Sequence, residues 1–378
     1  MKKIILVPDS FKGTMRAEEV CDIMREVMSR HYPTAKIVSL PVADGGEGTV
    51  DCFLRAAGGT KEAVTVKNPL FEDMQGFYGL IDGGRTAIVE TAVCAGLPLI
   101  EDRKDPLRAT TFGVGQLIVE AASRGVEKIV VGLGGSATND GGCGAACAAG
   151  VRFLNGAGES FIPTGGTLCA IARIDMTGRV KAVGDVKIVA VCDVTNPMCG
   201  PQGASYVYGP QKGASPETVR LLDEGLRHLS ECIKRDLGAD CLDCPGSGAA
   251  GAMGAGMCAF FGAELEMGIE TVLDALNFDS ELEDADLVLT GEGKLDEQSL
   301  RGKAVIGAAR RAKRKGVPTI AVVGDIGDGA QRAYDEGLSY IVSINRTAVD
   351  FSAARVRAKE DLALTVDDLA RFLKSMGF

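Results

Sequence analysis

The sequence predicts an α/β protein in which a doubly wound, flavodoxin- or Rossmann-like parallel sheet carries a second, inserted α/β domain. Three observations predict it. Short apolar runs alternate with helically spaced segments at both ends of the chain. The middle breaks that alternation with strand-like and glycine-rich stretches. And 378 residues are too many for one ordinary core, so two domains are expected.

Taken in order, residues 3–7 are a short apolar run that ends at Pro8, as a buried strand does. Residues 17–30 have helical spacing, with Val20, Ile23, Met24, Val27 and Met28 on one face and Thr14 as the expected cap. Residues 36–40 read as a second strand and 48–57 as a helix stopped by Gly58-Gly59. The C-terminal part repeats the pattern. Strands are expected at 286–290, 319–323 and 340–344, helices at 303–315 and 365–376, and a short helix at 329–336. Residues 1–66 and 283–378 are thus expected to form one discontinuous domain, and 67–282 the insert. In the insert, alternation around 77–81 and 86–89 and apolar runs at 128–131 and 187–191 predict strands. Periodicity leaves open whether the 128–131 strand joins the first sheet. In a flavodoxin-like order the switch point lies between the first and third strands. That brings Pro8-Asp9-Ser10-Phe11-Lys12-Gly13 and Thr290-Gly291-Glu292-Gly293-Lys294-Leu295-Asp296 into one crevice.

Composition narrows the function. With 46% hydrophobic and 24% charged residues the chain is an ordinary globular one rather than a disordered one. A net charge of −10 argues against nucleic acid as a partner, which would want a basic face. No apolar run reaches the roughly 18 residues that a membrane span needs. Twelve scattered cysteines read as reduced, apolar-like thiols, and the cytoplasm is the expected compartment. Cys241-Leu-Asp-Cys244 has no second pair, and His31 and His228 are the only histidines, so a closed zinc site or a histidine-based triad lacks its ligands.

Fifty glycines cluster into loops: Asp44-Gly45-Gly46-Glu47-Gly48-Thr49, Gly132-Leu133-Gly134-Gly135-Ser136-Ala137, Gly246 to Gly256, and Gly291 to Gly293. Glycine lets backbone N–H groups approach an anion, so several such loops carrying acids and hydroxyls suggest phosphate binding. A single loop would more simply be a turn. Gly132-x-Gly134-x-x-Ala137 follows a strand, but no carboxylate lies near Arg152-Phe153, where a dinucleotide site would want one. No Walker loop occurs. Asp9, Asp44, Glu47, Asp140, Asp193, Glu292 and Asp296 sit at strand ends or in these loops. Such acids suit Mg²⁺ and phosphoryl transfer, which needs no histidine; each alone could equally cap a helix or close a turn. Lys12, Lys212 and Lys294 lie among the same loops.

These blocks, with Asn139-Asp140-Gly141-Gly142, Asp193-Val-Thr-Asn196-Pro197, Gly209-Pro-Gln-Lys212-Gly-Ala214 and Gly248-Ala-Ala-Gly251, resemble the type I glycerate kinase family in order and over almost the whole chain. The resemblance implies a two-domain α/β kinase with its active site in the interdomain cleft. It implies transfer of the ATP γ-phosphoryl group to D-glycerate, often giving 2-phosphoglycerate, with Mg²⁺. On that basis Asp9, Ser10, Lys12, Asp44 and Glu47 are expected at the acceptor. Gly134, Gly135, Ser136, Asn139 and Lys212 are expected at the nucleotide. Asp193, Asp296 and Lys12 are the expected catalytic groups, and Asp44 and Glu292 the expected metal ligands. Three alternatives stand beside this: 3-phosphoglycerate as product, another small hydroxy acid as acceptor, and a non-catalytic metabolite-binding regulator. A homodimer is compatible with the sequence, which does not fix the oligomeric state.

Overall fold

The apolar runs at the two ends of the chain pair into one parallel sheet. Its order is Lys36–Ser39, Lys3–Pro8, Leu287–Gly291, Thr319–Val323, Tyr340–Ser343, the 2-1-3-4-5 order of a flavodoxin-like sheet. The structure, a computed structural model, describes every residue except Lys12, Ala43, Asp44, Gly45, Glu47 and Gln298, with Met267 and Arg301 described by backbone alone. Both faces of the sheet are covered, so its central strands read as continuous apolar runs rather than alternating ones. Ile4, Leu6, Leu289 and Val322 pack under helices Ala17–His31 and Phe351–Ser375. Ala321 and Val323 face the other way, onto Val305, Ile306 and Ala309 of helix Ala304–Arg314.

The second sheet has six strands in the order Glu264–Met267, Lys187–Cys192, Lys128–Gly132, Thr86–Glu90, Asp73–Ile81, Thr60–Lys67. The first four run parallel, and the last two add an antiparallel hairpin. The 128–131 run therefore belongs to this sheet. Gly58–Met267 forms the bulk of this unit, and Gly268–Phe378 with the chain's first strands and helix forms the other.

Several expectations shift. Residues 60–66, expected in the first domain, pair into the second sheet. Residues 268–282, expected in the insert, pack with the first unit. The cause is Arg311, whose neighbours in sequence suggested a solvated basic face. Its side chain is 5% exposed and bonds the Glu270 carboxylate (2.6 Å), the Glu270 carbonyl (3.0 Å) and Asp274 (2.6 Å), fastening helix Gly268–Ala275 to helix Ala304–Arg314. Thr14 does not cap the first helix. Its hydroxyl donates to the Phe11 carbonyl (2.7 Å), and the cap position is Arg16, whose N–H donates to Glu19 (3.0 Å). The last helix begins at Phe351 rather than 365, and the 329–336 segment is a 3-10 turn, Ala330–Tyr334. His31 pairs with Asp367 (2.7 Å) and His228 bonds the Ile171 carbonyl (2.7 Å), both structural contacts. No described helix is long and apolar enough to cross a membrane.

Candidate active site

Each unit has a cavity at the carboxyl ends of its parallel strands, where such sheets present loops and helix starts. In the first unit the chain leaves strand Lys3–Pro8 at Asp9 and strand Leu287–Gly291 at Glu292. The Asp9 N–H donates to the Gly291 carbonyl (2.8 Å), which ties the two exits together. Ser10 N–H donates to Asp9 Oδ1 (2.6 Å). Gly291 has no room for a side chain, since a Cβ would stand 2.2 Å from the Val322 carbonyl oxygen. Around these exits lies a cavity of about 560 Å³, lined by Asp9, Ser10, Glu292, Asp296 and the cations Lys294, Lys303 and Arg355. Asp9 and Glu292 are buried, and Asp296 is half-buried.

In the second unit the cavity is smaller, about 300 Å³. Gly134, Gly135 and Ser136 reach it from the loop after strand Lys128–Gly132, and Asp193 from the end of strand Lys187–Cys192. Tyr208 comes from the end of helix Ala204–Tyr208, and Gln211 and Lys212 from the turn after it. The glycine loop is fixed by backbone bonds, Leu97 N–H to the Gly135 carbonyl (2.9 Å) and Ala137 N–H to the Ala95 carbonyl (2.8 Å). Behind it Asp140 is fully buried and accepts from Thr111 N–H (2.8 Å), Thr111 Oγ1 (2.9 Å), Gly142 N–H (3.1 Å) and Gly144 N–H (3.2 Å). Burial pushes its carboxyl up from the usual range, and these donors oppose that. Asp140 therefore organises the turn from behind.

Lys212 is the unusual group. It is 2% exposed, and its ammonium donates to the Thr138 carbonyl (2.6 Å). Burial pulls it down to about 8, with the Asp140 charge working the other way. Tyr208 is pushed up to about 12, first by burial and then by the Asp193 charge, and its hydroxyl donates to Asn196 Oδ1 (2.7 Å). Next to the cavity Ala250, Gly251 and Ala252 are all left-handed (φ 53, 68 and 66°) before the helix that ends at Phe261. Left-handed backbone costs a non-glycine residue roughly 1–2 kcal/mol. The turn is held against the glycine loop: a Cβ on Gly251 would stand 2.0 Å from the Thr138 carbonyl oxygen.

The structure thus gathers Asp9, Ser10, Glu292 and Asp296 in one unit, and Gly134, Gly135, Ser136, Asp193 and Lys212 in the other. Asn139 is fully buried and does not line the cavity. Its Nδ2 donates to Ser205 Oγ (3.1 Å), joining the glycine loop to helix Ala204–Tyr208. Lys12, Asp44 and Glu47 lie outside the described residues. Just past them, Glu90 receives Gly48 N–H (3.0 Å) and Val50 N–H (3.2 Å), fixing the start of helix Thr49–Ala57. Sequence reading did not single out Glu90, Tyr208, Lys303 or Arg355. Glu90 alone carried a cue, as an acid directly ending an apolar strand. Among the described residues no cluster of three or more His, Cys, Asp or Glu side chains is placed to hold a metal ion.

Residues 4–374 match the Glycerate kinase family. The chain is 42% identical over 373 residues to the glycerate kinase of Bacillus cereus, covering 98% of each chain. It is 42% identical over 343 residues to the glycerate 2-kinase of Escherichia coli (strain K12), covering 90% of each. A crystal structure of a Salmonella typhimurium LT2 protein assigned as glycerate kinase 2 is 41% identical, with a TM-score of 0.87 over 100% of this chain and 99% of that one. The chain therefore belongs to the glycerate kinase family and is a kinase.

Proposed function

We propose that this chain transfers the γ-phosphoryl group of ATP to D-glycerate, giving 2-phosphoglycerate, and does so in the cytoplasm. The observation that carries the reading is the division of chemistry between the two strand-end cavities. One offers a glycine loop and the buried ammonium of Lys212, a setting suited to phosphates. The other offers acids, a hydroxyl and cations, suited to a small hydroxy acid. The relative named glycerate 2-kinase favours O2 over O3 as the phosphorylated oxygen.

In this reading Gly134, Gly135, Ser136 and Lys212 hold the nucleotide phosphates, and Asn139 positions their loop. Asp9 and Ser10 hold the acceptor. Asp296 lines the same cavity as Asp9 and Ser10, which favours it over Asp193 as the group that takes the hydroxyl proton. The acceptor oxygen bonds the γ-phosphorus as the bond to the bridging oxygen breaks. ADP leaves with that electron pair, and the proton goes to the carboxylate. Mg²⁺ takes only one or two carboxylates beside phosphate oxygens and waters, which acids such as those at the strand ends can supply. The buried Glu292, with Asp44, would hold it, and when bound it would offset phosphate charge.

An ADP-release assay with D-glycerate, L-glycerate and no acceptor, with and without Mg²⁺, tests this directly. Mg²⁺-dependent turnover on D-glycerate, with 2-phosphoglycerate identified as product, is expected. Turnover only on another hydroxy acid would overturn the acceptor, and 3-phosphoglycerate would overturn the regiochemistry. Asp296→Asn should lower kcat by about a hundredfold or more, as loss of a general base does. Unchanged kcat in that variant would move the base to Asp193.

A further inference from the structure

We propose that Arg355, on the C-terminal helix, is the residue that selects a carboxylate-bearing acceptor; the inference rests on the reading of the first unit's cavity as the acceptor site. A kinase for a small hydroxy acid must distinguish it from a neutral polyol of the same size. That takes a cation whose charge is not already spent inside the protein. Three described cations line this cavity, Lys294, Lys303 and Arg355, and none of them makes an ion pair with a described residue. Arg355 is distinguished from its neighbours along the helix. Arg357 bonds Asp361 (3.1 Å) and Lys359 bonds Glu19 (2.8 Å), so each already has its carboxylate. Arg355 has none.

The helix presents Arg355 to the cavity by its spacing. Phe351, Ala354, Arg355 and Ala358 all line it, the i, i+3, i+4, i+7 stripe of one helical face. The alanines on that stripe leave the guanidinium room. Phe351, one turn earlier, reaches the loop that carries Asp9 and Ser10, and a Cβ on Gly13 would touch its ring at 3.9 Å. The start of the helix is therefore seated against that loop. Of the three cations only arginine offers a planar pair of parallel N–H donors, the match for a carboxylate; the two lysines are point charges.

The test is steady-state kinetics on the full chain with Arg355→Gln and Arg355→Lys, varying D-glycerate and ATP separately. Loss of a charge-assisted contact should raise the KM for D-glycerate roughly ten- to hundredfold in Arg355→Gln. Arg355→Lys should fall between that variant and the wild type. The KM for ATP and kcat at saturating acceptor should stay put, because the contact is made equally in the ground and transition states. An unchanged KM for D-glycerate in an active Arg355→Gln enzyme would overturn the inference while leaving the proposed function intact. A shift in the KM for ATP instead would also overturn it, by placing Arg355 at the nucleotide. A wild-type enzyme that does not use D-glycerate would sink the reading on which the inference rests, and with it the inference.

Discussion

Lys212 shows at the scale of one residue how burial sets behaviour. The folded protein holds its proton less tightly than the unfolded chain does, at about 8 against 10.5. Between those values the unfolded state binds more protons, so stability should rise with pH across that window, by on the order of 3 kcal/mol. Urea unfolding between pH 7.5 and 10.5 checks this, and the rise attributable to the group should vanish in Lys212→Met. Activity should run the other way. As pH rises through about 8 the free enzyme loses the ammonium, and kcat/KM for ATP should fall; Lys212→Met should be low and flat over the same range. Gly251 makes a second case. Its φ of 68° and the Thr138 carbonyl oxygen 2.0 Å from any Cβ mean that Gly251→Ala must displace the glycine loop. It should lower Tm and raise the KM for ATP, whereas a rise in the KM for D-glycerate alone would place the loop at the acceptor. The sequence showed these residues as types in loops: Gly134, Gly135, Ser136 and Lys212, expected together at the nucleotide, line one cavity, and Asp193, expected as a catalytic group beside Asp296, lines that cavity instead of the one that holds Asp296. It could not show that Asn139 is buried behind the loop rather than facing the cavity, because a polar residue in a glycine-rich run looks the same in either place.

Elements were legible in proportion to how fully the fold buries them. Strands Lys3–Pro8, Leu287–Gly291 and Thr319–Val323 are apolar runs because helices cover both their faces, and they lie within a residue of where the pattern puts them. Strand Thr60–Lys67 ends the second sheet with one buried residue, Val66, so its charges hid it and the domain boundary with it. The first turns of helix Phe351–Ser375 were missed because Phe351 and Val356 are exposed there and blur the apolar stripe. The other boundary turned on Arg311, where a run of basic residues concealed one that points inward. The packing of helix Gly268–Ala275 on helix Ala304–Arg314 depends on that side chain. Arg311→Met keeps its length and loses its donors. Its acidic partners are half-exposed and can return to water, so the expected cost is about 1–3 kcal/mol rather than that of a fully buried pair. Urea unfolding should show a lower midpoint for this variant, and an unchanged midpoint would reduce the arginine to a bystander.

For the whole molecule, the two cavities make a claim that no single variant tests: each ligand has its own unit. A ligand that binds only the folded state stabilises it by mass action, by about 2.7 kcal/mol at a hundredfold excess over Kd. Local opening of the segments it touches is suppressed first. A non-hydrolysable ATP analogue should therefore slow amide exchange in residues 133–142, 204–213 and 248–254, which surround Lys212 and the left-handed turn. D-glycerate should slow it in residues 9–15, 291–303 and 345–358, around Asp9, Glu292 and Arg355. Measured by mass spectrometry with each ligand alone, the two protected sets should be distinct. Protection of the first set by D-glycerate alone would exchange the roles of the cavities, moving Lys212 to the acceptor and Arg355 to the nucleotide. The net charge of −10 sharpens the test, since both ligands are anions repelled by the molecule as a whole. Their negative charge must be met by local cations and hydrogen-bond donors, so the protection should concentrate at those segments rather than spread over the surface.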